Sequence, residues 1–222
     1  MARIEAVIFD MDGVLVDAKE WHYEALNRAL GLFGYTINRM DHLVAYDGLP
    51  TRKKLEMLSI DRGLPRGLHP IVYELKQLYT MDAIYAQCKP VFYHEYALAR
   101  LNALGYRLAV ASNSIRDTVD VMLNKCSLSQ YLEFSLSNED VSKPKPDPEI
   151  YTTAIQRFGL TPEQCLVVED NQNGIKAATA AGAHLMAVKT VEDVNLQNIR
   201  THIENAEQGS ATSIDTEKRS AA

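Results

Sequence analysis

The stretch Ile8-Phe9-Asp10-Met11-Asp12-Gly13 places two carboxylates at i and i+2 behind an apolar run and in front of a glycine. On a strand, alternation carries both acids to one side, and glycine lets the chain turn away beside them. Two acids held together repel unless a cation or a shared proton intervenes. The spacing therefore points to a divalent metal, a carboxylate nucleophile, or both. Three further polar clusters complete an inventory. Ser112-Asn113-Ser114 follows a second apolar run, Glu169-Asp170 follows a third, and Lys143 and Lys145 stand in the proline-framed loop Ser142 to Asp147. Two acid pairs, a hydroxyl at a helix start and a lysine clamp are what phosphoryl transfer requires.

These residues need elements to hold them. Short apolar runs at Val7–Phe9, Leu108–Ala111, Cys165–Val168 and Leu185–Val188, with a weaker one at Phe134–Leu136, read as buried parallel strands. Helical spacing lies between them at Thr118–Lys125, Glu149–Phe158 and Gly174–Ala181. Strands alternating with helices predict an α/β fold, a Rossmann-like parallel sheet covered on both faces. Ligands of such sheets bind beyond the carboxyl ends of the strands, where the polar clusters fall.

One segment breaks the alternation. From 17 to 90 the chain shows helical patterns at Glu20–Phe33, Thr51–Ile60 and Pro70–Ala86 and no convincing strand. This predicts an all-helical cap at 17–90 inserted into a core of 1–16 and 91–204. The residues from 205 to 222 read as a polar, disordered tail.

Composition narrows the partners. With 222 residues and a net charge of −6, the chain is large enough for a core plus an insert, and mildly unsuited to nucleic acid or anionic membranes. No apolar stretch approaches a membrane span of about 20 residues. Cys88, Cys126 and Cys165 have no metal-ligand spacing and read as reduced thiols. The first five residues run straight into the first strand, without room for a signal peptide. The expectation is a cytoplasmic protein.

Taken in order, Asp10-Met-Asp12-Gly-Val-Leu-Val-Asp17, Ala111-Ser112-Asn113, Lys143-Pro-Lys-Pro-Asp147 and Val168-Glu169-Asp170-Asn-Gln-Asn-Gly174 resemble the haloacid dehalogenase superfamily. The insert resembles the small cap of its β-phosphoglucomutase-like and sugar-phosphate phosphatase branch. The resemblance implies that Asp10 is a nucleophile and Asp12 a general acid and base. It implies Mg²⁺ held by Asp10, the Asp12 main-chain carbonyl and Asp170, with Glu169 acting directly or through water. Ser112 and Lys143 would hold the phosphoryl oxygens, helped by the Asn113 amide, while Lys145 is expected in solvent. In the cap, His22 matches a histidine near the active site, and Gly48 matches a loop that reaches toward substrate. Arg52, Lys53 and Lys54 could steer a phosphorylated ligand, against the alternative of a solvated helix face.

Two departures bear on the reaction. Asp47 stands where mutases of this branch carry a lysine, which disfavours a second phosphate in the substrate. An acid at position 12 is what an oxygen leaving group needs, which separates the chain from dehalogenases. The expected function is Mg²⁺-dependent hydrolysis of a small phosphomonoester, a sugar or polyol phosphate, through an aspartyl phosphate. The alternatives are a β-phosphoglucomutase-like mutase and an inactive binding protein of the same fold.

Overall fold

The computed structural model describes residues 3–209. Five parallel strands, β1 (Ala6–Phe9), β2 (Arg107–Ala111), β3 (Phe134–Leu136), β4 (Cys165–Glu169) and β5 (His184–Ala187), form one sheet in the order β3-β2-β1-β4-β5. The order reverses at β1, so the crevice above its carboxyl end is the topological switch point.

Alternation along the strands sorts their side chains into two layers. Val7, Phe9, Leu108, Val110, Leu166 and Val168 pack beneath α5 (Phe92–Ala103), α6 (Arg116–Lys125) and α9 (Leu196–Gln208). Ala6, Ile8, Ala109, Ala111 and Val167 pack beneath α7 (Glu149–Phe158) and α8 (Gln172–Ala180). Two helices, α5 and α9, were not visible in the periodicity. On α9 only Ile199 and Ile203 are buried, a single i, i+4 pair. That helix extends through Gln208, so the polar tail expected from 205 begins later, and positions 210–222 lie outside the described residues.

Between β1 and α5 the chain is helical, as the missing strand pattern predicts. Helices α1 (Lys19–Gly31), α2 (Arg39–Asp41), α3 (Thr51–Arg62) and α4 (His69–Gln87) enclose their own apolar cluster, with Leu26, Leu30, Leu55, Leu58 and Val72 at its centre. The three cysteines are buried and free, as small core residues.

Candidate active site

The strand alternation that carries the aspartates ends at Phe9, and the chain turns at once. The Met11 carbonyl accepts from the amides of Val14, Leu15 and Val16, and Gly13 adopts φ +89°. A Cβ at Gly13 would collide with the Asp170 carboxylate, so this turn requires glycine for space as well as for conformation. The turn separates the two carboxylates in their contacts: Asp10 is tied to core groups, and Asp12 reaches toward the cap.

Asp10 is 7% exposed. Its Oδ1 accepts from Lys145 Nζ at 2.6 Å, and the same ammonium donates to Glu169 Oε1 at 2.6 Å. This corrects the expectation for the loop lysines. Lys145 is buried in the site, while the side chain of Lys143 is 73% exposed and stands 4.0 Å from Asp147. The reason is a contact across 32 residues. Asn113 Oδ1 accepts from the Lys145 amide at 3.0 Å and turns that residue inward. Burial lowers the Lys145 pKa, but Asp10 and Glu169 outweigh it, so the net shift is upward and the ammonium stays charged.

Glu169 is fully engaged. Its Oε1 also accepts from the Tyr151 hydroxyl at 2.5 Å, and Oε2 accepts from the amides of Asp170 and Asn171 at 3.1 and 3.3 Å. Gly174 is needed beside it, because a Cβ there would overlap the Glu169 carboxylate. Asp170 differs. Its side chain is fully buried, Oδ1 has no hydrogen-bond partner among the described residues, and Oδ2 is faced by the Lys19 ammonium. Burial lifts its pKa to about 6, against the opposing pull of Lys19. Burial also pushes Asp10 up, and Glu169, Asp170 and Asp12 add to this against Lys145.

Asp10, Glu169 and Asp170 bring carboxylate oxygens within 4.8 Å of one another. Clustered hard oxygen donors suit a divalent cation, and Lys19 already presents a positive charge at Asp170. The residues fit Mg²⁺, with Asp170 offering an unpartnered oxygen and Glu169 already engaged by Lys145, Tyr151 and two amides.

Asp12 faces the other way. Oδ1 contacts His22 Nε2 at 3.0 Å, and Oδ2 accepts from Ser114 Oγ at 2.8 Å and from Ser112 Oγ at 3.4 Å. Burial raises its pKa, yet His22 and the Ser114 hydroxyl prevail and the net shift is downward. His22 Nδ1 meets Lys76 Nζ at 3.2 Å. An ionised carboxylate can only accept, so Nε2–H donates to Asp12 and Nδ1 accepts from Lys76. Burial and Lys76 together depress the His22 pKa, consistent with a neutral ring.

Ser112 is buried and accepts from the Ser114 amide at 3.0 Å, so its hydroxyl shapes the turn while Ser114 lines the cleft. Asn113 Nδ2 donates to the carbonyls of Gly48 and Lys145 at 3.0 and 3.3 Å, joining cap to core. Gly48 has φ +69°, and an added Cβ would meet Asn171 Oδ1 at 2.5 Å. Asp47 Oδ2 accepts from Asn171 Nδ2 at 2.9 Å. The guanidinium of Arg52 lies 5.2 Å from the Tyr73 ring centre. Lys53 is solvated, but Lys54 is buried.

A cavity of about 440 Å³ lies between sheet and cap, lined on the floor by Asp10, Asp12, Lys145 and Glu169 and on the roof by His42, Lys54, Tyr73 and Lys76. Sequence reasoning left Lys145 in solvent, weighed Lys54 between ligand steering and a solvated helix face, named Ser114 without a role, and missed Lys19 and Lys76. Lys54 left a signal: it stands four residues before the buried Leu58 on one helix face.

The sequence model of the haloacid dehalogenase-like hydrolases matches residues 7–188. A phosphorylated carbohydrates phosphatase of Thermotoga maritima is 30% identical over 185 residues, covering 81% of this chain and 82% of its own. A fructose-1-phosphate phosphatase of Escherichia coli is 29% identical, covering 84% and 97%. Among solved structures, a β-phosphoglucomutase of Clostridium difficile superposes with a TM-score of 0.79 at 20% identity, covering 92% of this chain and 99% of that one. At that identity the likeness speaks for the fold.

Proposed function

The chain belongs to the haloacid dehalogenase-like hydrolases, as a phosphoric monoester hydrolase, and on that premise we propose that it hydrolyses a small phosphorylated sugar or polyol through a phosphoryl group carried on Asp10. The observation that supports this most is the division of labour between the two aspartates. Asp10 is held on the floor by Lys145, and Asp12 is held between His22 of the cap and Ser114 of the core.

In the first step an Asp10 oxygen attacks phosphorus, the bond from phosphorus to the ester oxygen breaks, and that oxygen takes a proton from Asp12. Approach of the phosphate dianion raises the Asp12 pKa by like charge and supplies the protonated form. In the second step water attacks phosphorus, Asp12 takes the water proton, and the bond from phosphorus to Asp10 breaks. Lys145 keeps Asp10 aligned and neutralises charge on the phosphoryl oxygens. Mg²⁺, held by Asp10, Asp170 and the Asp12 main-chain carbonyl, would supply Lewis-acid stabilisation of the phosphoryl charge.

The test is phosphate release from a panel of sugar and polyol phosphates, with and without EDTA. The reading expects stoichiometric phosphate that is lost on chelation and restored by Mg²⁺. Including β-glucose 1-phosphate with trace glucose 1,6-bisphosphate separates the mutase: glucose 6-phosphate outpacing free phosphate would replace hydrolysis by isomerisation. A flat response across the panel, with metal binding intact, would leave a binding protein.

A further inference from the structure

Lys54 is the feature that the reaction above leaves unused. It lies on α3, is 7% exposed, and lines the same cavity as Asp10 and Asp12. Among the described residues its ammonium has no hydrogen-bond acceptor and no ion-pair partner, whereas the other buried lysine of the floor, Lys145, has two carboxylates.

An ammonium held in a cavity wall without a partner carries an uncompensated desolvation cost. Burial drops its pKa to about 8, with Asp47 and Asp12 pulling the other way. Among the described residues neither acid stands within ion-pair distance of it. The Asp47 carboxylate is bonded to Asn171, and the Asp12 carboxylate to His22 and Ser114. Lys76 is equally buried, but its ammonium is already set against His22.

The helix that carries Lys54 adds a second observation. α3 has twelve residues and begins after Pro50, which offers no side-chain acceptor to its first turn. The amides of Lys53 and Lys54 bond back to the Pro50 carbonyl, whereas those of Thr51 and Arg52 have no backbone acceptor. Residues 51–54 all line the cavity. Free amides at a helix start and an unpaired lysine in its first turn are complementary to an oxyanion.

We propose that Lys54 and the first turn of α3 form an oxyanion subsite in the roof of the cavity, so that the substrate is a phosphomonoester carrying a second acidic group, a carboxylate or another phosphate. This rests on the phosphatase reading and narrows its substrate class. It also changes the meaning of Asp47. The negative charge at position 47 is engaged by the core loop at Asn171, and the positive charge for a second anion comes from position 54 instead.

The test uses binding, so that it does not depend on turnover. Asp10→Asn keeps the side-chain volume and holds off the chemistry, which makes substrates into ligands. Calorimetry in the presence of Mg²⁺ compares glycerol 3-phosphate with 3-phosphoglycerate, which exchanges a neutral hydroxymethyl for a carboxylate. A second pair, fructose 1-phosphate and fructose 1,6-bisphosphate, does the same for phosphate. The expected result is that at least one diacid binds about tenfold tighter than its neutral partner. Adding Lys54→Met should reduce that preference to within about twofold, and Lys54→Arg should retain most of it. Neutral partners binding as tightly as both diacids, or a preference that survives Lys54→Met, would overturn the proposal. Failure of the wild-type protein to hydrolyse p-nitrophenyl phosphate would instead count against the phosphatase reading and leave this comparison standing.

Discussion

The floor and the roof of the cavity are charged in opposite senses. On the floor, Asp10 and Glu169 share one buried lysine, Lys145, and Asp170 beside them is faced by Lys19 from α1. On the roof, Lys54 and Lys76 are buried beside His42, and Lys54 has no partner among the described residues. A floor of mutually repelling carboxylates is complementary to a cation and to a phosphoryl group that the cation accompanies. A roof of underpaired cations is complementary to whatever negative charge the ligand carries beyond that group. If Asp10 carries the phosphoryl group and Lys54 meets the second anion, chemistry and selection are built on different elements: strand ends for the first, an inserted helix for the second.

The floor should be the harder half to alter without losing turnover. Asp10→Asn removes the nucleophile at constant volume, and kcat/KM for any hydrolysed ester should fall below about a thousandth of wild type with an unchanged circular dichroism spectrum. A variant retaining a tenth of the activity would end the covalent reading.

The next effect separates the two loop lysines. Lys145→Met should lower kcat by about a hundredfold or more, because it leaves Asp10 and Glu169 facing each other without a counter-charge. Lys143→Ala, at an exposed side chain, should stay within about twofold. Equal effects would dissolve the distinction that burial draws between them.

Closure of the roof onto the floor is a smaller contribution. Gly48→Ala puts a methyl group against Asn171 at a backbone angle that favours glycine. The expected result is a KM raised by about three- to tenfold with kcat less affected, measured on the best substrate of the panel. A KM unchanged within error would show that the cap reaches its working position without this contact.

The smallest effect is on stability, and it comes from the roof. Burial, with Lys54 adding to it against Asp12, lowers the Lys76 pKa to about 7 from 10.5. The unfolded chain therefore binds more protons than the folded one between about pH 7 and 10.5, and the wild type gains stability as pH rises through that window. Below about pH 7 both states are protonated and the cost of burying the charge is constant. Lys76→Met removes the cost. It should be more stable than wild type by about 1–3 kcal/mol at pH 7, with the gap narrowing toward about pH 10, in urea titrations at the two pH values. A gap independent of pH would mean that Lys76 is not charged at a cost in the folded protein.

Much of the floor was legible in the sequence because it hangs on strand ends. An apolar run that stops at Phe9 or at Val168 fixes where the next polar residues emerge, so Asp10, Asp12, Glu169 and Asp170 could be placed from local pattern. The choice between Lys143 and Lys145 could not be made that way. Loop residues carry no period, and the bond that turns Lys145 inward comes from Asn113 on another strand end. Ser114 was hidden for a similar reason, since only the folded turn reveals which of two serines reaches Asp12 at 2.8 Å. The roof was less legible still. A lysine on an apolar helix face reads as solvated unless the packing of a second helix is known, and it is α4 with Lys76 that covers this side of the cap.

That Asp10 carries the phosphoryl group while Asp12 moves the proton can be tested by trapping. Asp12→Asn is incubated with Mg²⁺ and acetyl phosphate, whose leaving group needs no protonation, quenched in acid and read by intact mass and peptide mapping. Close to one phosphoryl group per chain is expected, on the peptide containing Asp10, because attack proceeds while hydrolysis lacks its base. Phosphate released at the wild-type rate with no phosphorylated protein, or a phosphoryl group mapped to another residue, would contradict this assignment of roles.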